Sequence, residues 1–66
     1  MAKGIVKWYN EMKGFGFIES ENDGDIFVHR TGLIDPYNSI QTGAKVIFET
    51  KQGDKGTIAV GVKPCN

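Results

Sequence analysis

The sequence predicts an all-β domain in which five short strands close into an antiparallel barrel. Apolar residues alternate with polar ones in short runs, which is typical of half-buried strands, and clusters of Gly, Asn, Asp and Ser separate these runs. No run has a sustained helical period. Closure is favoured because an open sheet in a chain of 66 residues would leave unpaired strand edges exposed.

The strands are predicted in order at residues 4–10, 15–20, 25–30, 45–50 and 57–63. Residues 21–24 have the composition of a hairpin turn between the second and third strands. Residues 52–56 join the fourth strand to the fifth. The longest connection covers residues 31–44, where Pro36 and Gly43 disfavour a long helix and leave room for one helical turn near residues 31–33.

Side-chain alternation in the second and third strands separates aromatic residues from aliphatic ones. Phe15 and Phe17 share one face of the second strand, and Phe27 and His29 share one face of the third. A symmetric hairpin sets Phe17 opposite Phe27 and Phe15 opposite His29, at about 5 Å. The other face of the hairpin carries Ile18, Ile26 and Val28. Because these aliphatic residues can fill a core, we predict that the rings form a surface patch.

The alternative orientation places the phenylalanines in the core and the aliphatic residues in solvent. It would force Asp25 and His29 into the core, where polar groups need partners. It would also leave little bulk at Gly14 and Gly16, on the face opposite the rings. The surface orientation is therefore favoured.

A surface patch of flat rings is suited to single-stranded nucleic acid, because every base has a π-face that stacks on an aromatic ring. Stacking contributes about 1–3 kcal/mol per base. The formal net charge is zero, with eight Lys and Arg against eight Asp and Glu, which disfavours duplex binding driven by phosphate neutralisation. Cations expected to attract phosphates at the rim are Lys7, Lys13, Arg30 and Lys55.

Trp8 and Tyr9 are adjacent, so regular alternation would place them on opposite faces of the first strand. A bulge or sharp bend near Asn10 would turn both towards one region. We expect Trp8 to join the rings, and we leave Tyr9 open between the edge of the rings and the core.

The cysteine content and the distribution of apolar residues indicate where the protein is located. Cys65 is the single cysteine, so it forms neither an internal disulfide nor a metal cage, and a free thiol is typical of a reducing compartment. The first residues lack the apolar run of a signal peptide, and no segment reaches the roughly 20 apolar residues that span a membrane. We expect one domain over residues 1–66 and a cytoplasmic monomer without membrane contact.

Catalysis is disfavoured by the residue types available. His29 is the only histidine, and no Ser or Cys nucleophile is visibly matched to it. Paired carboxylates and metal-ligand spacings are also missing from the sequence. We therefore expect no enzymatic activity, no cofactor and no metal.

Three segments of the chain have distinctive sequences: Val6-Lys7-Trp8-Tyr9-Asn10, Lys13-Gly14-Phe15-Gly16-Phe17-Ile18 and Ile26-Phe27-Val28-His29. Together they resemble the bacterial cold-shock proteins. The second matches the ribonucleoprotein motif RNP1 and the third matches RNP2, and their order and spacing make the match specific. The resemblance covers essentially the whole chain. It implies an OB-fold barrel that binds single-stranded RNA and DNA and has RNA-chaperone or antitermination activity.

The resemblance also implies roles for particular residues. Asp25 matches a position that contacts base edges, and Lys55 matches a basic loop position, although a solvated loop lysine is an equal interpretation. By motif match, the family's binding roles fall on Lys7, Trp8, Lys13, Phe15, Phe17, Phe27 and His29.

The chain departs from the family pattern in four places, of which Tyr9 in place of the usual phenylalanine is the mildest. Arg30 replaces a phenylalanine that extends the rings, but its guanidinium can stack on a base, so Arg30→Phe is expected to preserve or strengthen binding. The connection after Thr31 is one residue shorter, which makes Tyr37 the match to a loop phenylalanine. Ile58 stands where the family usually has a glutamine, which removes a hydrogen-bonding side chain from the fifth strand.

A second class of function fits an aromatic patch on a small barrel, namely a module that grips a proline-rich peptide. The glycine-spaced phenylalanines and the ribonucleoprotein-type motifs favour nucleic acid. Trp8 fluorescence discriminates between the two, because quenching by oligothymidine that weakens with salt is expected only for the nucleic-acid binder.

Overall fold

The protein is an all-β closed barrel, as predicted, in a computed structural model that describes residues 2–22, 24–34, 40–54 and 56–65. Its strands are β1 (Ala2–Asn10), β2 (Phe15–Ser20), β3 (Gly24–His29), β4 (Lys45–Gly53) and β5 (Gly56–Pro64). The helical turn expected after β3 is a short 3₁₀ helix at Arg30–Gly32. It takes up Arg30, so β3 ends one residue earlier than predicted.

The strands follow the order β1-β2-β3-β5-β4 around the barrel, and the pairing of β1 with β4 closes it. The pairings β1–β2, β2–β3, β1–β4 and β4–β5 are antiparallel, as expected. The pairing of β3 with β5 is parallel, through Phe27 opposite Ile58 and Val28 opposite Ala59. This exception follows from the antiparallel pairings, which make β1, β3 and β5 run in one direction and β2 and β4 in the other.

The core is built from the aliphatic face of the β2–β3 hairpin, which confirms the predicted orientation. Ile18 and Val28 have no exposed surface, and Ile26 is 2% exposed. Phe48 on β4 is also fully buried, so one phenylalanine does belong to the core. The buried cluster consists of Val6, Ile18, Ile26, Val28, Leu33, Val46, Phe48, Ala59 and Val62.

The bulge in the first strand lies at Lys7, so its predicted position near Asn10 is wrong. The register between β1 and β2 shifts between Val6 and Trp8, which leaves Lys7 as the extra residue. Val6 is buried, Lys7 and Trp8 are both exposed, and Tyr9 turns back to pack against the core. The extra residue therefore brings Trp8 to the outer face and resolves the open position of Tyr9 in favour of the core.

The described residues can also be compared with the expectations about membrane spans, metal sites and the cysteine. No helix in them is long and apolar enough to cross a membrane. They also contain no group of three or more His, Cys, Asp or Glu residues placed to hold a metal ion. Cys65 is a half-buried free thiol just after β5, where its backbone N–H donates to the carbonyl oxygen of Lys45 over 2.9 Å.

Candidate nucleic-acid interface

Five aromatic side chains on β1, β2 and β3 form one continuous surface, which we call the ring patch: Trp8, Phe15, Phe17, Phe27 and His29. The hairpin register sets Phe15 opposite His29 and Phe17 opposite Phe27, as alternation predicts. The bulge at Lys7 sets Trp8 opposite Phe17. The three strands thus place the five rings side by side.

Phe27 lies at the centre of the ring patch. Its ring centroid is 5.9 Å from that of Phe15 with an interplanar angle of 29°, and 5.8 Å from that of Phe17 with an angle of 78°. His29 lies 6.5 Å from Phe27 at 32°. Trp8 completes the surface at 5.9 Å from Phe15 and 5.5 Å from Phe17. These separations lie within the range of favourable ring pairs, so the rings hold one another in place.

The rings are neither buried nor free of contacts. Trp8 is 41% exposed, His29 is exposed, and Phe15, Phe17 and Phe27 are half-buried. Neighbouring rings cover part of each ring, and the rest remains open to solvent. A contiguous exposed apolar surface of this kind on a small domain marks an interaction site.

His29 is oriented by the turn that follows β3. The backbone N–H of Thr31 donates to His29 Nδ1 over 3.2 Å, and Thr31 Oγ1 lies 3.1 Å from the same nitrogen. Because Nδ1 accepts the backbone hydrogen bond, the ring proton is on Nε2 in this arrangement. His29 thereby caps the 3₁₀ helix and keeps its ring beside Phe27. The capping hydrogen bond comes from a backbone N–H, which every residue except proline has, so the sequence carries no specific signal for it.

Lys7 and Asp25, both predicted to contact nucleic acid, are partners of each other. Lys7 Nζ donates to Asp25 Oδ2 over 2.8 Å, and the two side chains are 50% and 45% exposed. The hydrogen bond to Asp25, followed by the charge of that carboxylate, raises the pKa of Lys7 above its ordinary value of 10.5. The pair lies at the Glu19 end of the ring patch, since Asp25 is paired with Glu19 across β2 and β3.

We expect Asp25→Asn to lower the pKa of Lys7 towards its ordinary value, because the substitution removes the acceptor's charge. The pKa of Lys7 is raised in the folded state, so the stabilisation from the pair is present at neutral pH. It is lost as the pH rises through the raised pKa. An NMR titration of the Lys7 side chain measures the change, with Glu49→Gln on β4 as the control. An unchanged Lys7 midpoint in Asp25→Asn would contradict the ion pair.

The opposite end of the ring patch is bordered by the loop of residues 11–14, which connects β1 to β2. Its Lys13 backbone N–H donates to Asn10 Oδ1 over 3.0 Å, and Arg30 donates from its guanidinium to the Glu11 carbonyl oxygen over 3.2 Å. Met12 in the same loop is 94% exposed. No motif in the sequence indicates a role for Met12, and a single exposed apolar side chain is common on protein surfaces.

Three remaining predictions concern the rim. Ile58 lies opposite Phe27 in the parallel pairing of β3 with β5, and it is half-buried beside the ring patch. Tyr37 and Lys55 lie outside the described residues, so their predicted contacts stay predictions. The described rim therefore offers cations at both ends: Lys7 at one end and Lys13 with Arg30 at the other.

Comparison with known proteins identifies the family. The sequence model of the 'Cold-shock' DNA-binding domain matches residues 2–65. The chain belongs to the cold-shock domain family. It is 47% identical over 64 residues to "Cold shock protein CspC" of Bacillus subtilis (strain 168), covering 96% of this chain and 97% of the relative. It is 48% identical over 63 residues to "Cold shock protein CspA" of Staphylococcus haemolyticus, covering 94% and 96%.

The cold-shock fold is also found in a solved structure, "drosophila Unr CSD456", with a TM-score of 0.81 and 24% sequence identity. The match covers 98% of this chain and 26% of that chain, so this protein spans about a quarter of its length. At this identity the likeness shows the OB-fold barrel alone. The nucleic-acid-binding class of the protein follows from the family match and the cold shock protein relatives, and the family comprises nucleic-acid-binding proteins, not known enzymes.

Proposed function

We propose that the protein binds single-stranded RNA and single-stranded DNA by stacking bases on the ring patch. The observation that carries this proposal is the division of the β2–β3 hairpin into two faces. Its aliphatic face is fully used in the core, while its phenylalanines remain half-exposed. A domain of this size has little apolar surface to spare, so rings that the core does not need are explained by a ligand.

Stacking accounts for binding by a protein without net charge. Each stacked base contributes about 1–3 kcal/mol, and every base has a face to stack, so tolerance of sequence is expected. Stacking on the patch requires unpaired bases and therefore competes with base pairing. By mass action, binding shifts weakly paired RNA hairpins towards open single strands. This supports a role as an RNA chaperone or transcription antiterminator.

The charges at the two ends of the ring patch suggest where the phosphates and the bases of a bound strand lie. Glu19 and Asp25 are at one end, where Lys7 neutralises one carboxylate. Lys13 and Arg30 are at the other end. We place phosphates at the Lys13 end and base edges at the Asp25 end, because carboxylates accept hydrogen bonds from the amino groups of bases.

The proposal extends to the form in which the protein acts. All five rings of the patch are supplied by one chain, which supports a monomer with a single domain over residues 1–66. The free thiol of Cys65 is compatible with the reducing cytoplasm, where RNA is available. We propose binding without catalysis and without a cofactor.

A binding measurement on arrays of RNA and DNA oligonucleotides at two salt concentrations tests the proposal. We expect binding to single strands of both kinds, little binding to duplexes, and a salt slope of about −0.7 per phosphate contacted, as single strands show. One contact, at Lys13, corresponds to a slope of about −0.7, because Lys7 is paired with Asp25. A preference for duplexes, or binding to a proline-rich peptide with no binding to any oligonucleotide, would overturn it.

A further inference from the structure

Arg30 connects the end of β3 to both ends of the loop 11–14. Its backbone N–H donates to the carbonyl oxygen of Gly14 over 2.8 Å. Its side-chain Nη2 donates to the carbonyl oxygen of Glu11 over 3.2 Å. One residue thus contacts the first and the last residue of the loop, although it is 19 positions away from Glu11 in the chain.

The guanidinium also covers Gly14. A β-carbon at Gly14 would lie 2.9 Å from Nη2, 3.2 Å from Nε and 3.3 Å from Cζ of Arg30. Because Cζ, the central atom, is the farthest of the three, the edge between Nε and Nη2 lies against Gly14. Gly14 also has a φ of +74°, which favours glycine. The loop therefore provides a surface that accepts a flat cationic group.

Asn10 holds the same loop from the other side. The backbone N–H of Gly14 donates to the Asn10 carbonyl oxygen over 2.7 Å, and that of Lys13 donates to Asn10 Oδ1 over 3.0 Å. Lys13 therefore lies in a loop that is fixed to β1 by Asn10 and to the end of β3 by Arg30. Replacing the Arg30 side chain would remove the bond to Glu11, while the backbone bond to Gly14 and the bonds to Asn10 would remain.

We infer that Arg30 is a positioning residue, which clamps the loop 11–14 and thereby places Lys13 for the phosphates of a strand on the ring patch. The inference rests on the proposed function for its binding consequence. It differs from the stacking role expected for Arg30 from its place in the sequence. A clamped loop lowers the cost of binding, because the loop is ordered before the ligand arrives.

Amide hydrogen exchange measured by NMR tests the clamp without any ligand. In Arg30→Gln, the amides of Lys13 and Gly14 are expected to exchange about fivefold faster, which corresponds to the loss of one net hydrogen bond. Amides of the core residues Ile18 and Ile26 should be unchanged. Lys45→Gln is the matched control, because it removes one exposed positive charge outside the ring patch. Unchanged loop exchange in Arg30→Gln, or an equal change in Lys45→Gln, would overturn the clamp.

A double-mutant cycle with oligothymidine, followed by Trp8 fluorescence, tests the effect on Lys13. Lys13→Gln is expected to weaken binding about threefold at low salt in the otherwise unchanged protein, as for one phosphate contact. In the Arg30→Gln background, Lys13→Gln should weaken oligothymidine binding about 1.5-fold or less. In the Lys45→Gln background it should keep the full, about threefold effect. Equal losses in all backgrounds would contradict positioning by Arg30.

The two experiments separate this inference from the proposed function. If the unchanged protein fails to bind oligothymidine, the proposed function is wrong, whereas the exchange measurement still decides whether Arg30 orders the loop. Arg30→Phe adds a further distinction. Its loop amides should exchange as fast as those of Arg30→Gln, while its ring preserves overall affinity by stacking.

Discussion

Phe27→Ala is expected to weaken the binding of oligothymidine by about 1–3 kcal/mol while the barrel stays folded. Phe27 contacts the rings of Phe15, Phe17 and His29, so its removal opens the centre of the ring patch. Phe15→Ala should act similarly, because Phe15 contacts both Trp8 and Phe27. Titration by Trp8 fluorescence gives the affinity, and circular dichroism during heating reports whether the barrel is intact.

The matched control for Phe27 is its neighbour in the chain, Ile26, which points into the core and is 2% exposed. Ile26→Val removes one buried methylene and should lower the free energy of unfolding by about 0.5–1.5 kcal/mol. It should leave the affinity of the folded protein unchanged. If Phe27→Ala and Phe15→Ala unfold the barrel, or if they bind as tightly as the unchanged protein, the assignment of the rings to binding is wrong.

Gly16→Ala is expected to destabilise the barrel by about 3 kcal/mol, the upper end of the usual range for overpacking. A β-carbon at Gly16 would overlap the backbone carbonyl oxygen of Trp8 and lie 2.7 Å from the α-carbon of Tyr9. These are backbone atoms of the paired strand β1, which cannot rotate away as a side chain does. Small domains are stable by as little as about 5 kcal/mol, so most of the stability would be lost.

Urea denaturation measures this loss, and Gly24→Asn serves as its control. Gly24 has a φ of 73° and open space around the position of a β-carbon. Asparagine tolerates this backbone conformation better than most residues, so we expect a change of about 1 kcal/mol or less. A Gly16→Ala protein as stable as the unchanged one would show that β1 and β2 do not approach as closely as the structure describes.

The faces of the β2–β3 hairpin could be predicted from the sequence because period-two alternation and a short turn determine them together. Alternation determines that the rings share one face, and the pairing of Ser20 with Gly24 sets Phe17 opposite Phe27. The turn is therefore one residue shorter than the predicted 21–24, because Gly24 already belongs to β3. The position of the bulge in β1 could not be predicted in the same way. The adjacency of Trp8 and Tyr9 indicates that alternation is broken, whereas the register with β2 decides that Lys7 is the extra residue.

Polar contacts between distant segments could not be predicted from the sequence pattern either. Lys7 and Asp25 are 18 positions apart, and the bulge at Lys7 interrupts the alternation that would have indicated its direction. The contact of Arg30 with Glu11 ends on a backbone carbonyl oxygen, which every residue type has. Residue identity therefore carries no signal for it. The predicted roles of Tyr37 and Lys55 stay predictions, since both lie outside the described residues.

The most direct test of the account is a fluorescence titration of Trp8 with oligothymidine at low and at high salt. Trp8 is 41% exposed and belongs to the ring patch, so a base stacked on the patch changes its surroundings. We expect quenching that saturates with added oligothymidine and an affinity that falls as the salt concentration rises. Fluorescence that responds to no oligonucleotide at low salt would contradict binding on the ring patch.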